Sequence, residues 1–258
     1  MKFYLAPMES MTGYIFRNAY HKYFHNVDKY FTPFIASTGL SHKELNDILP
    51  SHNEGMCVVP QILTNKVEDF LIIADKLKDF GYETVNLNLG CPSGTVVAKK
   101  RGAGMLADTE ELNRFLDGIF AKCKTKISIK TRIGMEDEKE WESLAEIFNT
   151  YPLEELIIHP RLRVDFYKNP IHYEVFEQAL KGIKAPVCYN GDIHSVEKYN
   201  AFIKQFPEVD TIMLGRGVFM NPGLIDEIRA EAKKNPDFGD ADVANSLIKN
   251  TAVNGALL

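Results

Sequence analysis

The sequence predicts a (β/α)8 TIM barrel, and three observations carry that prediction. Eight short apolar runs, rich in β-branched and aromatic residues, punctuate the chain. Their starts recur about every 25–31 residues, apart from one gap of about 40. Amphipathic segments with helical periodicity fill the intervals. Strand and helix alternating eight times argue for a parallel sheet closed on itself. A doubly wound open sheet shows the same alternation, but the first run here lacks the G-x-G-x-x-G turn such sheets use for dinucleotides.

The runs are FYLAPM from Phe3, KYFTPFI from Lys29, MCVVPQIL from Met56 and TVNLNLG from Thr84. They continue with KISIKTR from Lys126, ELIIHP from Glu155, PVCYNG from Pro186 and TIMLGR from Thr211. A helix is predicted over 65–81, with Asn65 as N-cap and Gly81 as its stop. Another is predicted over 108–123, opening on Asp108 and further acidic residues that suit a helix N-terminus. Residues 137–151 and 194–206 repeat the pattern. After GLIDEIRAEAKK, the last twenty-odd residues show little periodicity. The expected organisation is one catalytic domain over 1–234 and a short tail over 235–258.

With 258 residues and 45% hydrophobic content, the chain can bury one large core. Cys57, Cys91, Cys123 and Cys188 form no C-x-x-C pair, which argues against a zinc site or a disulfide framework and for a reducing compartment. No signal-peptide pattern or membrane-length apolar run is present, so a soluble cytoplasmic protein is expected. The net charge of −5 excludes a broadly basic nucleic-acid binder; any basic face has to be local.

Barrel enzymes build their sites where strands end. Here the third run ends near Gln61, the fourth on Asn88 and Cys91, the fifth on Lys130 and Arg132, and the sixth on His159. The seventh ends on Asn190, Gly191 and Asp192, and the eighth on Gly215 and Arg216. Strand parity puts Ser128, Lys130 and Arg132 on one face, opposite Ile127 and Ile129; Asn86 and Asn88 likewise oppose Leu87 and Leu89. A lysine turned into a barrel needs an anionic partner, either an internal carboxylate or a ligand. The glycine-bearing turns NGDIHS and GRGVFMNPG follow strands seven and eight, where this fold commonly holds a phosphate. Each turn alone is equally explained as a tight turn. Together with Lys130 they describe FMN, with Gln61 placed for the pyrimidine edge. No acidic cluster or histidine pair has metal-ligand spacing, so no metal is expected. Cys91, in NLNLGCPSG, ends a strand between Gly90 and Pro92; by itself it reads as a small apolar side chain or as a reactive thiol.

In order along the chain stand LAPMES, VPQI, NLNLGCPSGTV with a following GAGML, IKTRIG, IIHPR, NGDI and MLGRG. Over about Leu5 to Ala232 this set resembles the tRNA dihydrouridine synthases, a family of flavin-dependent barrels. The N-x-G-C-P-S element followed by G-x-G is its most specific part. The resemblance implies FMN held around Pro7, Met8, Glu9, Gln61, Lys130, His159, Asn190, Gly191, Asp192, Gly215 and Arg216, with NADPH as reductant. It implies Cys91 as the catalytic acid and Asn88 beside the flavin and the substrate base. Two departures stand out: Pro160 and Leu162 replace the usual Gly and Thr, and the chain ends before the family's C-terminal helical domain. Residues 235–258 are therefore expected to be a truncated remnant of that RNA-binding domain.

The implied chemistry is coherent. Saturating the C5–C6 bond of a uracil takes a hydride at C6 and a proton at C5. A thiol, mostly protonated near neutrality, suits the proton donor. Lys99, Lys100 and Arg101 after the cysteine loop, with Arg132, Arg161, Arg163 and Lys168, are candidates for tRNA contacts. The alternatives are a flavin barrel acting on a free pyrimidine, similar to dihydroorotate dehydrogenases, or a non-catalytic flavin- or RNA-binding relative.

Overall fold

The computed structural model describes residues 1–234; the expected tail, 235–258, lies outside the described residues. Among them run β1 (Lys2–Leu5), α1 (Tyr14–Phe24), β2 (Lys29–Phe31), α2 (His42–Ile48), β3 (Val58–Val59), β4 (Gln61–Ile62) and α3 (Val67–Asp79). Next come β5 (Thr84–Leu89), α4 (Gly94–Val97), α5 (Thr109–Phe120), β6 (Lys126–Gly134), α6 (Glu140–Phe148), β7 (Leu156–Leu162) and α7 (Tyr173–Gly182). The described part ends with β8 (Val187–Tyr189), α8 (Val196–Gln205), β9 (Thr211–Leu214), α9 (Arg216–Met220) and α10 (Leu224–Lys234).

The strands pair in parallel in the order β3-β2-β1-β9-β8-β7-β6-β5-β4. This is the expected barrel, with one difference: the third apolar run is two strands, not one. Pro60 separates β3 from β4 because it has no N–H for a ladder. β3 bonds to β2 on one side and β4 to β5 on the other, while the Pro60 carbonyl accepts from Asn86 N at 2.8 Å. Residues 58–62 thus form one stave, and the barrel is closed. The long gap after β5 holds α4, a 3-10 turn over Gly102–Ala107, and α5.

Two apolar cores result from strand alternation. Val85, Leu87 and Leu89 of β5 and Ile127 and Ile129 of β6 face outward into the core shared with the helices. There α5 contributes Leu112, Phe115, Leu116 and Ile119, a single stripe at helical spacing. Each such side chain contributes about 1.5–3 kcal/mol on full burial. Tyr4, Ala6, Phe31, Val59, Ile157, Cys188 and Met213 form a smaller core inside the barrel.

Asp108 caps α5 as expected, accepting from Glu111 N at 2.9 Å. Gly81 ends the α3 segment at φ +92°, a left-handed conformation that costs glycine little. Asn65 does not cap α3: its amide donates instead to the Lys99 carbonyl, tying this loop to the one beyond Cys91.

Candidate active site

A cavity of about 370 Å3 opens at the C-terminal ends of the strands. Pro7, Met8, Glu9, Gln61, Lys130, His159, Asn190, Gly191, Asp192, Gly215 and Arg216 all line it, with Asn88, Cys91 and Arg132. Lys99, Lys100, Arg101, Arg161 and Arg163 are not among its lining residues.

One wall is a polar relay built on β4, β5 and β6. Asn86 donates to Ser128 Oγ (2.9 Å) and accepts from Gln61 Nε2 (2.7 Å). Asn88 Nδ2 donates to Gln61 Oε1 at 2.8 Å. Asn88 Oδ1 in turn accepts from the N–H groups of Gly90 (3.0 Å) and Cys91 (2.9 Å). The inward face of three strands thus determines where the cysteine loop sits, and Asn88 acts on the thiol's position through the backbone.

The G-x-G that follows the loop clamps it from outside. Gly102 has φ +56°, and a Cβ there would lie 3.0 Å from both Cys91 Cβ and Cys91 O. Ala103 N donates to the same carbonyl at 3.1 Å. The Cys91 side chain remains half-buried at the cavity wall.

Lys130 rises from β6 into the cavity. Among the described residues no side chain or carbonyl bonds its ammonium. Desolvation, with the nearby Arg132 charge, pushes its pKa down to about 8. His159 on β7 is held well below its ordinary value by burial and by Arg132, Lys130, Arg161 and Arg216 around it, so its ring is neutral at pH 7. Its Nε2 faces Arg161 Nη1 at 3.2 Å; an arginine only donates, so Nε2 accepts and Nδ1 carries the proton.

Across the cavity, Asp192 receives Arg161 Nη2 (2.6 Å) and Arg216 Nη2 (2.5 Å). Burial would raise the Asp192 carboxyl, but the two guanidinium groups outweigh it and hold it below its ordinary value. Gly191 has no alternative: a Cβ there would fall 1.9 Å from Tyr189 Oη. Asn190 Nδ2 donates to Met213 O (2.8 Å), joining the turns after β8 and β9.

The substrate-side arginines are placed differently from their expected role. Arg132 is 1% exposed, and its three nitrogens donate to the carbonyls of Gly90, Leu162 and Phe166 at 2.7–3.0 Å. It is a strut between the cysteine loop and the loop after β7. Arg161, also buried, spends Nε and Nη2 on the Asn169 carbonyl. Arg163 packs over the Phe166 ring. Lys100 pairs with Glu111 at 2.8 Å, Arg101 Nε lies 3.5 Å from Asn65 Oδ1, and Lys99 is exposed. Of these residues only Arg132 lines the cavity.

Sequence reading missed Tyr167, which lines the cavity with its ring between Arg132 and Arg216, 5.3 and 5.1 Å from their guanidinium carbons. It follows Phe166, whose φ of 49° and ψ of −102° are strained for a side chain with a Cβ. His172 anchors this loop by bonding Glu138 (2.6 Å) and Asp165 (2.8 Å). Met11, Pro33, Phe34 and His194 also line the cavity. The one available signal was Pro33, which stands two residues past β2 as Pro7 stands two residues past β1. Among the described residues no cluster of three or more His, Cys, Asp or Glu suits a metal ion, and no helix is long and apolar enough to cross a membrane.

Solved structures with the same fold include morphinone reductase in complex with tetrahydroNAD, at TM-score 0.61 and 14% identity over 90% of this chain and 87% of that one. Another is 3-hexulose-6-phosphate synthase from Salmonella typhimurium, at TM-score 0.55 and 12% identity over 89% of this chain and 95% of that one. At these identities the likeness concerns the barrel alone. In sequence, the chain is 29% identical over 230 residues to a probable tRNA-dihydrouridine synthase of Staphylococcus epidermidis, covering 85% of this chain and 69% of that protein. It is 28% identical over 229 residues to probable tRNA-dihydrouridine synthase 2 of Bacillus subtilis, covering 85% of this chain and 70% of that protein. The profile of the family described as dihydrouridine synthase matches residues 4–251, further than the motifs that end near Ala232. With nearly its whole length matched by that profile, the chain belongs to the dihydrouridine synthase family.

Proposed function

We propose that this protein reduces uridines of tRNA to 5,6-dihydrouridine, with FMN in the cavity and NADPH as reductant. The observation that carries this reading is the pairing of Lys130 and Cys91 in one cavity. A desolvated ammonium with no partner among the described residues and a thiol held by its loop backbone face the same space. Family membership supplies the reaction class, and the relatives' names supply the RNA.

The residues present fit a flavin mononucleotide. Lys130 would offset negative charge at the ring, and Gln61, fixed by Asn86 and Asn88, keeps a spare donor and acceptor for its pyrimidine edge. His159 offers a neutral Nδ1–H. The turns at Asn190–Asp192 and Gly215–Arg216 would take the phosphate, with Arg216 oriented by Asp192. A flavin held there would supply the hydride chemistry, taking hydride from NADPH and passing it to C6 of the uracil. Cys91 Sγ gives its proton to C5 on the other side of the same double bond, so the base gains one hydride and one proton. The thiolate left behind regains a proton from water, which the half-buried side chain permits. A positioned acid of this kind contributes about 10²–10⁴-fold. Arg132 holds the cysteine loop and the loop carrying Tyr167 at a fixed separation; it is a positioning residue. The target uridine must leave its stack to enter such a cavity.

The test is to incubate flavin-loaded protein and NADPH with unmodified tRNA and to analyse the nucleosides by mass spectrometry. Dihydrouridine at defined positions is expected. Flavin that is reduced by NADPH but yields no dihydrouridine in any tRNA overturns the reading.

A further inference from the structure

We infer that a second cavity beside the first seats the nucleotide adjacent to the target uridine; this rests on the RNA reading above. It measures about 390 Å3, between the loop after β1, the start of α1 and one face of α2. Met11 and Pro33 line both cavities, so the two adjoin at these side chains. A strand whose target base enters the first cavity and leaves over Met11 and Pro33 brings its next nucleotide into the second.

The lining has the chemistry of a single nucleotide's site. Tyr14, stacked on His52 at 4.4 Å between centroids and 13° between planes, offers a ring held in place, and Met11 is 38% exposed beside it. Such surfaces stack bases with little sequence preference. Asn46 bonds His42 through Nδ2 and keeps its amide oxygen and second N–H for a base edge. The Asp47 charge is offset in part, its Oδ1 accepting from Tyr14 N at 2.6 Å and lying 3.5 Å from Arg17 Nη1. Lys43 is the one lysine or arginine in the lining, and it bonds Glu9 of the first cavity. A single phosphodiester there would take this ammonium from Glu9. The pyrophosphate and additional phosphate of NADPH call for more positive charge than this lining holds.

The test uses flavin-loaded protein and a fluorescent single-stranded RNA heptamer with one central uridine, read by anisotropy. Asn46→Trp, which fills the cavity, should weaken binding at least tenfold, and Asn46→Ala threefold or less. An abasic nucleotide beside the uridine should cost the parent the same tenfold and cost Asn46→Trp nothing more. Ile15, 70% exposed on the rim, gives a second variant with little risk to folding. Ile15→Glu should weaken the RNA at least fivefold, and less so at high salt. Flavin reduction by NADPH should proceed at the parent rate in all three variants. Unchanged heptamer affinity in Asn46→Trp and Ile15→Glu overturns the inference. So does a raised KM for NADPH with RNA binding intact, which gives the cavity to the dinucleotide. A parent that binds the heptamer but forms no dihydrouridine in tRNA breaks the functional reading and leaves this one standing.

Discussion

Two lysines enter the barrel, one at each end, and their surroundings differ. At the base, Lys29 Nζ lies 3.6 Å from Glu155 Oε2 and 4.9 Å from the Tyr4 ring centroid. Tyr4 Oη donates to the same carboxylate at 2.8 Å, so the chain supplies that lysine's counter-charge itself. At the mouth, Lys130 has the like charge of Arg132 for company and no protein partner among the described residues. A buried cation left uncompensated costs stability, and a fold that tolerates it at the mouth of a cavity is placed to recover that cost when an anionic ligand binds. On the proposed function, the base serves stability and the mouth serves binding and chemistry.

That contrast is broken most directly at the two lumen-side cysteines. Cys91→Ala should lower tRNA uridine reduction by about 10²–10⁴-fold while flavin reduction by NADPH continues at near the parent rate. Cys188→Ala, in the fully buried inner core, should leave both half-reactions intact and cost about 1 kcal/mol of stability. Stopped-flow reduction of the flavin, tRNA turnover and urea unfolding of both variants decide this. Equal turnover by Cys91→Ala and parent would make Cys91 a structural residue.

The lysines themselves are next. Lys130 has a pKa of about 8 in the fold against about 10.4 unfolded, so the unfolded chain binds more protons between those values. Stability of the flavin-free protein should therefore rise with pH from 8 to about 10. Lys130→Met should be more stable than the parent at pH 7, by about 1–3 kcal/mol, with the advantage fading by pH 10. Lys29→Met should be less stable by about 1–2 kcal/mol, since it strips a buried carboxylate of its cation. Urea unfolding at pH 7 and pH 10 reads both, and a destabilised Lys130→Met at pH 7 would erase the contrast.

Arg216 tests the far wall of the mouth. Arg216→Ala should weaken FMN retention by about 1.5–3 kcal/mol, tenfold to a hundredfold, in equilibrium dialysis. Retention equal to the parent's would move the phosphate elsewhere. The smallest effect belongs to His172. Burial lowers its pKa, but Asp165 and Glu138 together outweigh that and hold it above its ordinary value. Its contribution is complete below pH 6.5 and is lost as pH rises through the raised value. His172→Gln should cost about 1 kcal/mol at pH 6 and little at pH 9, read by thermal unfolding at each pH.

Strand period and strand-end chemistry are local properties, and they survive in one dimension. Spacing of apolar runs was enough to read the barrel, and alternation was enough to turn Asn86, Asn88 and Lys130 inward. The split at Pro60 was legible in principle, since a residue without an N–H interrupts a ladder wherever it falls. The destination of the arginines was not. Arg132, Arg161 and Arg163 look alike in a sequence as candidates for phosphates, yet Arg132 and Arg161 are consumed by carbonyls of loops that only the closed barrel brings near.

The sequence by itself determined the barrel, the inward polar face of its strands and the motif around Cys91, because each depends on neighbours a few residues apart. The tertiary structure alone decided three things. Among the described residues Lys130 meets no carboxylate, Tyr167 stands between two guanidinium groups, and a second cavity shares Met11 and Pro33 with the first. Each depends on loops from staves distant in the chain meeting at one end of the barrel. Which charges and rings then meet is a matter of distances in space, and strand periodicity does not encode those distances.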